Sequence, residues 1–323
     1  MEDFIRTMAV ADARHQSSLT ADQVEFFRQH GLLVIRNLIN PGELAELQRQ
    51  TLTLVERAAG ELPDDPIVAD TVYRNHEITG NRVPNRVEYV VDKSSACKGL
   101  MGHPFILRSV EALQGPNFVP TWDSMVFKFE GQGAAIDWHR DDDRTKVGER
   151  PIFNVDFYLD NSDLTNCLWA IPASNQWDDE RAALDVKRRT GTAFDSAGAV
   201  PLPMQAGDVL LHDILLLHGS PPARSRLRRV VYFEFRAAEA ELALGPHVPE
   251  YVPIKQQILL ACIRHRQTLP YAAGEKAYTY RPAAPFAPKG SFLDPVSFRV
   301  PHSDYWRASA GSSQWEDRVP SST

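Results

Sequence analysis

Trp138-His139-Arg140-Asp141 sets two metal-binding side chains one residue apart, and a further histidine, His218, and an arginine, Arg229, follow along the chain. On an extended strand, residues two apart point to the same side, so His139 and Asp141 reach one ion while Arg140 points away. Two imidazoles and one carboxylate on one face of Fe(II) leave the opposite face open for a cosubstrate and dioxygen. Asp142 and Asp143 compete for the carboxylate role only if the strand has already ended. The third ligand must come from elsewhere, and Gly207 to Ser220 reads as an apolar strand ending at a histidine. His212 is the rival there. Its neighbours make it a polar residue inside the sheet, whereas His218 lies where the strand gives way to Gly219-Ser220-Pro221-Pro222, at a barrel mouth.

Arg229 supplies the next piece of chemistry. In the strand from Arg228 to Arg236, Arg229, Val231, Phe233 and Phe235 fall on one face and Arg228, Tyr232, Glu234 and Arg236 on the other. The first face is the apolar one and is expected to be buried. A guanidinium there is costly unless an anion meets it, and its planar fork suits a carboxylate. A dicarboxylate such as 2-oxoglutarate fits, its keto-acid end on the iron and its far carboxylate on Arg229.

These residues carry a family likeness: from about Leu19 to Arg236 the chain resembles the phytanoyl-CoA dioxygenase (PhyH-like) branch of the Fe(II)/2-oxoglutarate oxygenases. The opening Leu19-Thr20-Ala21-Asp22-Gln23 through Phe27, Gly31, Leu32, Val34 and Ile35 is similar to that family's first helix and strand. His139, Asp141 and His218 match its iron motif, and His218-Gly219-Ser220 followed by Arg229 matches its His-Gly-Ser turn and 2-oxoglutarate arginine. By the same match Ser220 and Met125 lie against the cosubstrate. The chain departs from the family at Pro172-Ala173-Ser174-Asn175, where relatives usually read Pro-Gly-Ser-His. The resemblance implies a double-stranded β-helix (a cupin-like jelly roll), mainly β with flanking helices. It also implies an enzyme that couples decarboxylation of 2-oxoglutarate, to succinate and CO2, to oxidation of a substrate C–H bond. Hydroxylation is the default outcome, with desaturation, cyclisation or epoxidation open. Halogenating relatives replace the carboxylate ligand with Gly or Ala, and Asp141 fills that space.

For the substrate, Arg82, Arg86, Arg140 and Lys128 are candidates to meet an acidic group, and Trp138, Phe153, Phe157, Trp169 and Trp177 to line an apolar pocket. A small secondary metabolite or amino-acid-like molecule is favoured over an acyl-CoA, because no extended basic patch stands out. Two other classes stay open: a noncatalytic cupin-like binding protein, and a metal-dependent hydrolase or isomerase on the same triad, which calls for Glu or His acid–base partners nearby.

Composition agrees with a soluble enzyme. The 323 residues carry 42 acidic and 35 basic side chains, a net charge of −7, which argues against nucleic acid as a partner. Cys97, Cys167 and Cys262 form no Cys-x-x-Cys spacing and no disulfide framework, so a reducing cytoplasm is expected. No apolar run reaches membrane-spanning length. A homodimer is left open.

Residues 1–323 read as a single domain. Residues 1–18 form a loose leader, 19–118 a helical N-terminal part, 119–240 the jelly-roll core and 241–323 a C-terminal helix with a Pro-rich arm. Thr20 and Gln23 predict a capping box, Gly31 a left-handed C-cap, and Pro41 the start of a second helix. Residues 61–100 are mixed, with Arg82, Arg86 and Tyr89 placed to reach over a barrel mouth. Strands are expected near 123–129, 136–141, 152–159, 167–171, 208–217 and 228–236, and a helix from Ile254 to Leu269. Pro270, Pro282, Pro285, Pro288, Pro295 and Pro301 exclude long regular elements beyond it, and Ala308 to Thr323 reads as frayed.

Overall fold

The Thr20 hydroxyl accepts from Gln23 N and the Gln23 side chain accepts from Thr20 N, the reciprocal box that the sequence predicts at the start of α1 (Ala21–His30). Gly31 closes that helix at φ 74°. A short β1 (Ala9–Val10) precedes α1 and β2 (Leu32–Ile35) follows. Asn40 caps α2 (Pro41–Gly60), with Pro41 in its first turn. The computed structural model describes residues 9–10, 13–76, 79–129, 133–223, 226–287 and 297–307. Most of the expected leader, Pro288, Pro295 and the stretch 308–323 lie outside them.

Residues 61–100, expected to be mixed, hold α3 (Pro66–Ala69), two strands, β3 (Thr71–Asn75) and β4 (Arg82–Glu88), then α4 (Val90–Lys93) and α5 (Ser95–Met101). Pro84 hides β4 in the sequence, since proline removes a ladder donor. It sits at the register shift between β3 and β4 and outside the β4–β5 pairing, where that donor is not needed. After α6 (Pro104–Gln114) the core strands are β5 (Phe118–Lys128), β6 (Ile136–His139), β7 (Phe153–Tyr158) and β8 (Leu168–Ala170). Then come α7 (Asp179–Arg189), β9 (Val200–Leu202), β10 (Val209–Asp213), β11 (His218–Ser220), β12 (Arg228–Ala237), α8 (Ala238–Leu244) and α9 (Tyr251–Arg266).

Among the described residues the strands form two sheets, eight-stranded in the order β1-β2-β10-β7-β12-β5-β4-β3 and four-stranded in the order β6-β11-β8-β9. All pairings except β1 with β2 are antiparallel. This is the expected jelly roll with flanking helices. The segment Gly207 to Ser220, expected as one strand, is in fact two strands in different sheets. Leu216 N bonds back to Asp213 O, so the chain turns after β10 and crosses to the small sheet, where His218 begins β11.

One face of the large sheet, with Met125, Phe127, Phe157, Val231, Phe233 and Phe235, is buried with Leu47, Leu54, Leu107, Val110, Ile258 and Leu259 of the helices. The opposite face looks across at the small sheet. Among the described residues, the arm after α9 makes only short 3-10 turns, yet it buries Tyr278 and Tyr280 in the core and stacks His302 on Trp122 at 3.4 Å. Among the described residues, no helix is long and apolar enough to cross a membrane.

Candidate metal centre and its cavity

His139 ends β6, and the antiparallel register places it directly opposite His218 on β11. Gly219 makes that approach feasible: a Cβ there would lie 2.9 Å from Ile136 O and 3.1 Å from Trp138 N on β6. Asp141 follows β6, anchored by its backbone N to Ile214 O at 2.9 Å. His139, Asp141 and His218 bring one ligand atom each within 4.8 Å of the others. Among the described residues this is the His/Cys/Asp/Glu group placed to hold a metal ion.

Backbone carbonyls set the tautomers. His139 Nδ1 donates to Asp137 O at 2.7 Å and His218 Nδ1 to Leu216 O at 2.9 Å. Both Nε2 atoms are thereby turned toward Asp141 Oδ1, at 3.4 and 3.9 Å. Burial, with His139 beside it, pushes the His218 imidazole down to about 3, so it offers a neutral nitrogen. Burial opposes ionisation of Asp141, but His218, His139 and His212 outweigh it and hold the carboxyl well below its usual range. Two imidazoles with an ionised carboxylate are the donor set that Fe(II) takes in a facial triad.

The rival residues are engaged elsewhere. Asp142 pairs with Lys146 at 2.9 Å and Arg236 at 3.6 Å, and Asp143 lies 3.6 Å from Lys146. His212 is inside the sheet, as expected, but it also reaches the site: Nδ1 lies 2.7 Å from Asp156 Oδ2 and Nε2 3.3 Å from Asp141 Oδ2.

The triad opens into a cavity of about 280 Å³ between the sheets. From β12 its lining takes Arg228, Val230, Tyr232 and Glu234, the phase opposite to the one read as buried. Arg229 faces away. Its fork grips Asp160 through Nε at 2.8 Å and Nη2 at 2.7 Å, while Nη1 donates to Gln48 O of α2 at 2.6 Å. The expected place of Arg229 against the cosubstrate is therefore corrected. The apolar face of β12 belongs to the helices, and the anion that meets Arg229 is a carboxylate of the chain itself. Met125 falls in the same phase, buried among the helices rather than in the cavity. Ser220 does line the cavity, its Oγ accepting from Lys128 Nζ at 2.8 Å. Arg228 is 3% exposed and donates through Nη1 to Asn166 O, but its Nε is buried with no hydrogen-bond partner. An orphaned guanidinium donor in this cavity suits a carboxylate ligand.

Of the expected substrate-pocket residues, Arg86 lines the cavity, 2.6 Å from Glu88. Arg82 is exposed, pairing with Glu61 and lying over Tyr73. Arg140 fastens a loop by donating to Ser174 O, Trp177 O and Asp179. Trp138 and Trp169 are buried in a cluster with Cys167, Ile171 and Leu217. Phe153 and Phe157 pack in the helix-side core. Large aromatics fill those gaps because their area is best buried there, not because they meet a ligand. The cavity wall comes instead from residues the sequence did not single out, among them Asn85, Trp122, Asn154, Asp156 and Tyr158. At the departure Pro172-Ala173-Ser174-Asn175, Ala173 holds φ 63°, a left-handed position that explains why relatives use Gly there.

The family model for phytanoyl-CoA dioxygenase (PhyH) matches residues 27–231. No curated protein matches the chain in sequence. Among solved structures, AviO1 from Streptomyces viridochromogenes Tue57 is similar at 30% identity and TM-score 0.55, over 67% of this chain and 93% of that one. EvdMO1 is similar at 28% identity and TM-score 0.54, over 66% of this chain and 49% of that one, so this chain spans about half the length of that relative. EctD from S. alaskensis, solved with 2-oxoglutarate and 5-hydroxyectoine, shares the fold at 20% identity and TM-score 0.56, over 70% of this chain and 79% of that one. With the family match running from the end of the opening helix through the His139–Asp141–His218 centre and most of the jelly roll, the chain belongs to the phytanoyl-CoA dioxygenase family and is a non-haem Fe(II)/2-oxoglutarate-dependent dioxygenase.

Proposed function

We propose that the protein oxidises an unactivated C–H bond of a small polar organic molecule, a secondary metabolite or an amino-acid-like compound, with hydroxylation as the default outcome and desaturation or cyclisation as variants. The observation that carries this reading is that the His139–Asp141–His218 cluster and Arg228 open into one cavity. His139, Asp141 and His218 would hold Fe(II), which would supply the redox chemistry that couples 2-oxoglutarate decarboxylation to substrate oxidation. Arg228 is the anchor for the far carboxylate of 2-oxoglutarate, with Ser220 beside it on the small sheet.

The wall around Arg86 takes the substrate. Arg86 is matched by Glu88 at 2.6 Å, and Glu234 by Arg236 at 2.7 Å, so this wall offers hydrogen bonds with its charges already compensated. That favours neutral hydrogen-bonding groups over a phosphate-rich acyl-CoA. A cavity of about 280 Å³ is at the small end for ligand sites, which also favours a compact substrate. Asp141 retains the carboxylate position that halogenation would require to be vacant.

The test is anaerobic titration of the protein with Fe(II), then 2-oxoglutarate, followed optically for the charge-transfer band of the chelate. Admission of air should then convert 2-oxoglutarate to succinate, slowly without substrate. Fe(II) binding with no chelate band and no succinate would overturn the reading of the cavity as a cosubstrate site.

A further inference from the structure

We propose that His212, backed by Asp156, is a positioning residue of the metal centre: with Asn154 it ties Asp141 Oδ2 and leaves Oδ1 as the carboxylate's single metal-facing oxygen. The inference rests on His139, Asp141 and His218 being the metal site.

Asp141 lies just past the end of β6, fixed through its backbone, and its side chain is free to turn about two torsions. A carboxylate beside two imidazoles has two ways to bind an ion, through one oxygen or through both. Here the two oxygens are already distinguished. Oδ1 faces His139 Nε2 and His218 Nε2, whereas Oδ2 accepts from Asn154 Nδ2 at 3.0 Å and His212 Nε2 at 3.3 Å. Asn154 Nδ2 and His212 Nε2 are themselves within hydrogen-bond distance, at 3.2 Å, so both reach Oδ2 from the same side. His212 cannot rotate away without losing its 2.7 Å contact from Nδ1 to Asp156 Oδ2. For the same reason it is no ligand: its ring lies 4.8 Å from that of His218, but neither nitrogen is available to an ion.

The clamp is built by the large sheet. Asn154 and Asp156 are successive cavity-facing positions of β7, and His212 is paired with Asn154 across β10. The histidine ligands belong to β6 and β11 of the small sheet. Asp141 is thus held from across the cavity, and its coordination mode is set by a sheet that contributes no ligand. The chemical consequence is a count of open positions. A one-oxygen carboxylate leaves room for a bidentate cosubstrate and dioxygen together, and a two-oxygen carboxylate removes one of those places.

Co(II) is the probe, because its visible absorption reports coordination number without turnover. The full-length protein and its His212→Leu, His212→Gln and Asp156→Asn variants are titrated with Co(II) by calorimetry and absorption, with circular dichroism to establish folding. His212→Leu should bind Co(II) about ten- to a hundredfold more weakly, with an altered visible spectrum. His212→Gln, which returns an N–H toward Oδ2, should recover part of the affinity and the wild-type spectrum. Asp156→Asn, a one-atom change, should fall between and decides the matter if the leucine variant does not fold. A folded His212→Leu or Asp156→Asn variant with wild-type affinity and spectrum overturns the proposal, as does a glutamine variant no better than leucine. Failure of the wild type to bind Co(II) would remove the metal site itself, and the clamp with it.

Discussion

Arg228 and Arg229 are neighbours on one strand with opposite faces, and exchanging each for lysine should separate cosubstrate binding from stability. Arg229 is 5% exposed and makes a two-pronged bond to Asp160 plus a bond to Gln48 O, which ties β12 to α2. Breaking a buried pair of this kind costs about 3–5 kcal/mol, because Asp160 keeps its charge with the backbone N–H of residue 229 but without the guanidinium. Arg229→Ala should lose that much in urea unfolding of the metal-free protein. Arg229→Lys, keeping the charge without the fork, should lose about 1–3 kcal/mol. Neither should change the affinity for 2-oxoglutarate in the fraction that remains folded. Arg228 has the reverse profile. Its Nε is free to meet a ligand carboxylate, and lysine at this place loses the planar fork, so Arg228→Lys should weaken 2-oxoglutarate binding roughly tenfold to a hundredfold, about 1.4–2.8 kcal/mol. Its unfolding midpoint should stay close to wild type. The assay is 2-oxoglutarate titration of the Fe(II)-loaded protein without oxygen, run beside denaturant unfolding. If Arg229→Lys unfolds like wild type but binds 2-oxoglutarate poorly, and Arg228→Lys binds it normally, the facing of β12 argued here is wrong.

Gly219→Ala puts a Cβ against β6 backbone and the Phe194 ring, so it should displace His218 and cut Co(II) affinity by at least tenfold in calorimetry. Ala173→Gly relieves a left-handed backbone and should raise stability by about 0.5–1 kcal/mol in urea unfolding; a loss of stability would show that the position carries no strain. Burial opposes the charge of Asp70, but Arg299 and Lys93 outweigh it and lower its carboxyl from the ordinary 3.8. A lowered carboxyl contributes its stability fully above the ordinary value and loses it as pH falls through the lowered one. The segment 297–307 that Arg299 fastens should therefore loosen below about pH 4 and not toward alkaline pH, by about 1 kcal/mol given the half-exposed arginine, as read by hydrogen exchange. With Asp141 in place, reactions under 18O2 and high chloride should give products carrying 18O or lacking two hydrogens; a chlorine isotope pattern from the wild-type enzyme would remove Asp141 from the ligand set.

The metal centre was legible because its signal is local. His139 and Asp141 are two residues apart at the end of one short strand, and His218 precedes a turn marked by Gly219 and two prolines. The arginine was misassigned for a physical reason. Period-two alternation separates two faces but does not say which of two buried faces carries the site, and Arg228 and Arg229 are almost equally buried. In a sheet with helices on one side and a polar cavity on the other, the apolar phase belongs to the helices. β7 carries the same signature: in Phe153-Asn154-Val155-Asp156-Phe157-Tyr158 every residue is buried, and the polar pair Asn154 and Asp156 forms one phase that faces the cavity. The strands β3 and β4 were illegible because Pro84 interrupts the pattern and their partner β5 lies beyond three helices in the chain.

What no single strand shows is the order across them. The register aligns Tyr158, Val230, Val126 and Arg86 in one row, Asp156, Tyr232, Ser124 and Glu88 in the next, and His212, Asn154, Glu234 and Trp122 in a third. The first row is mainly apolar and ends at a paired arginine. The second and third carry the groups that hold Asp141 and those that reach the far wall. Because cross-strand neighbours are the contacts that set side-chain positions in a sheet, a substitution in the third row at Glu234 is felt at Asn154 and Trp122 before it is felt along β12. Specificity at the far wall and alignment of the metal carboxylate are thus linked through the rows. On the proposed reading of the far wall as the substrate side, an engineered change of substrate would preserve Asn154 and His212 while altering Trp122 and Arg86.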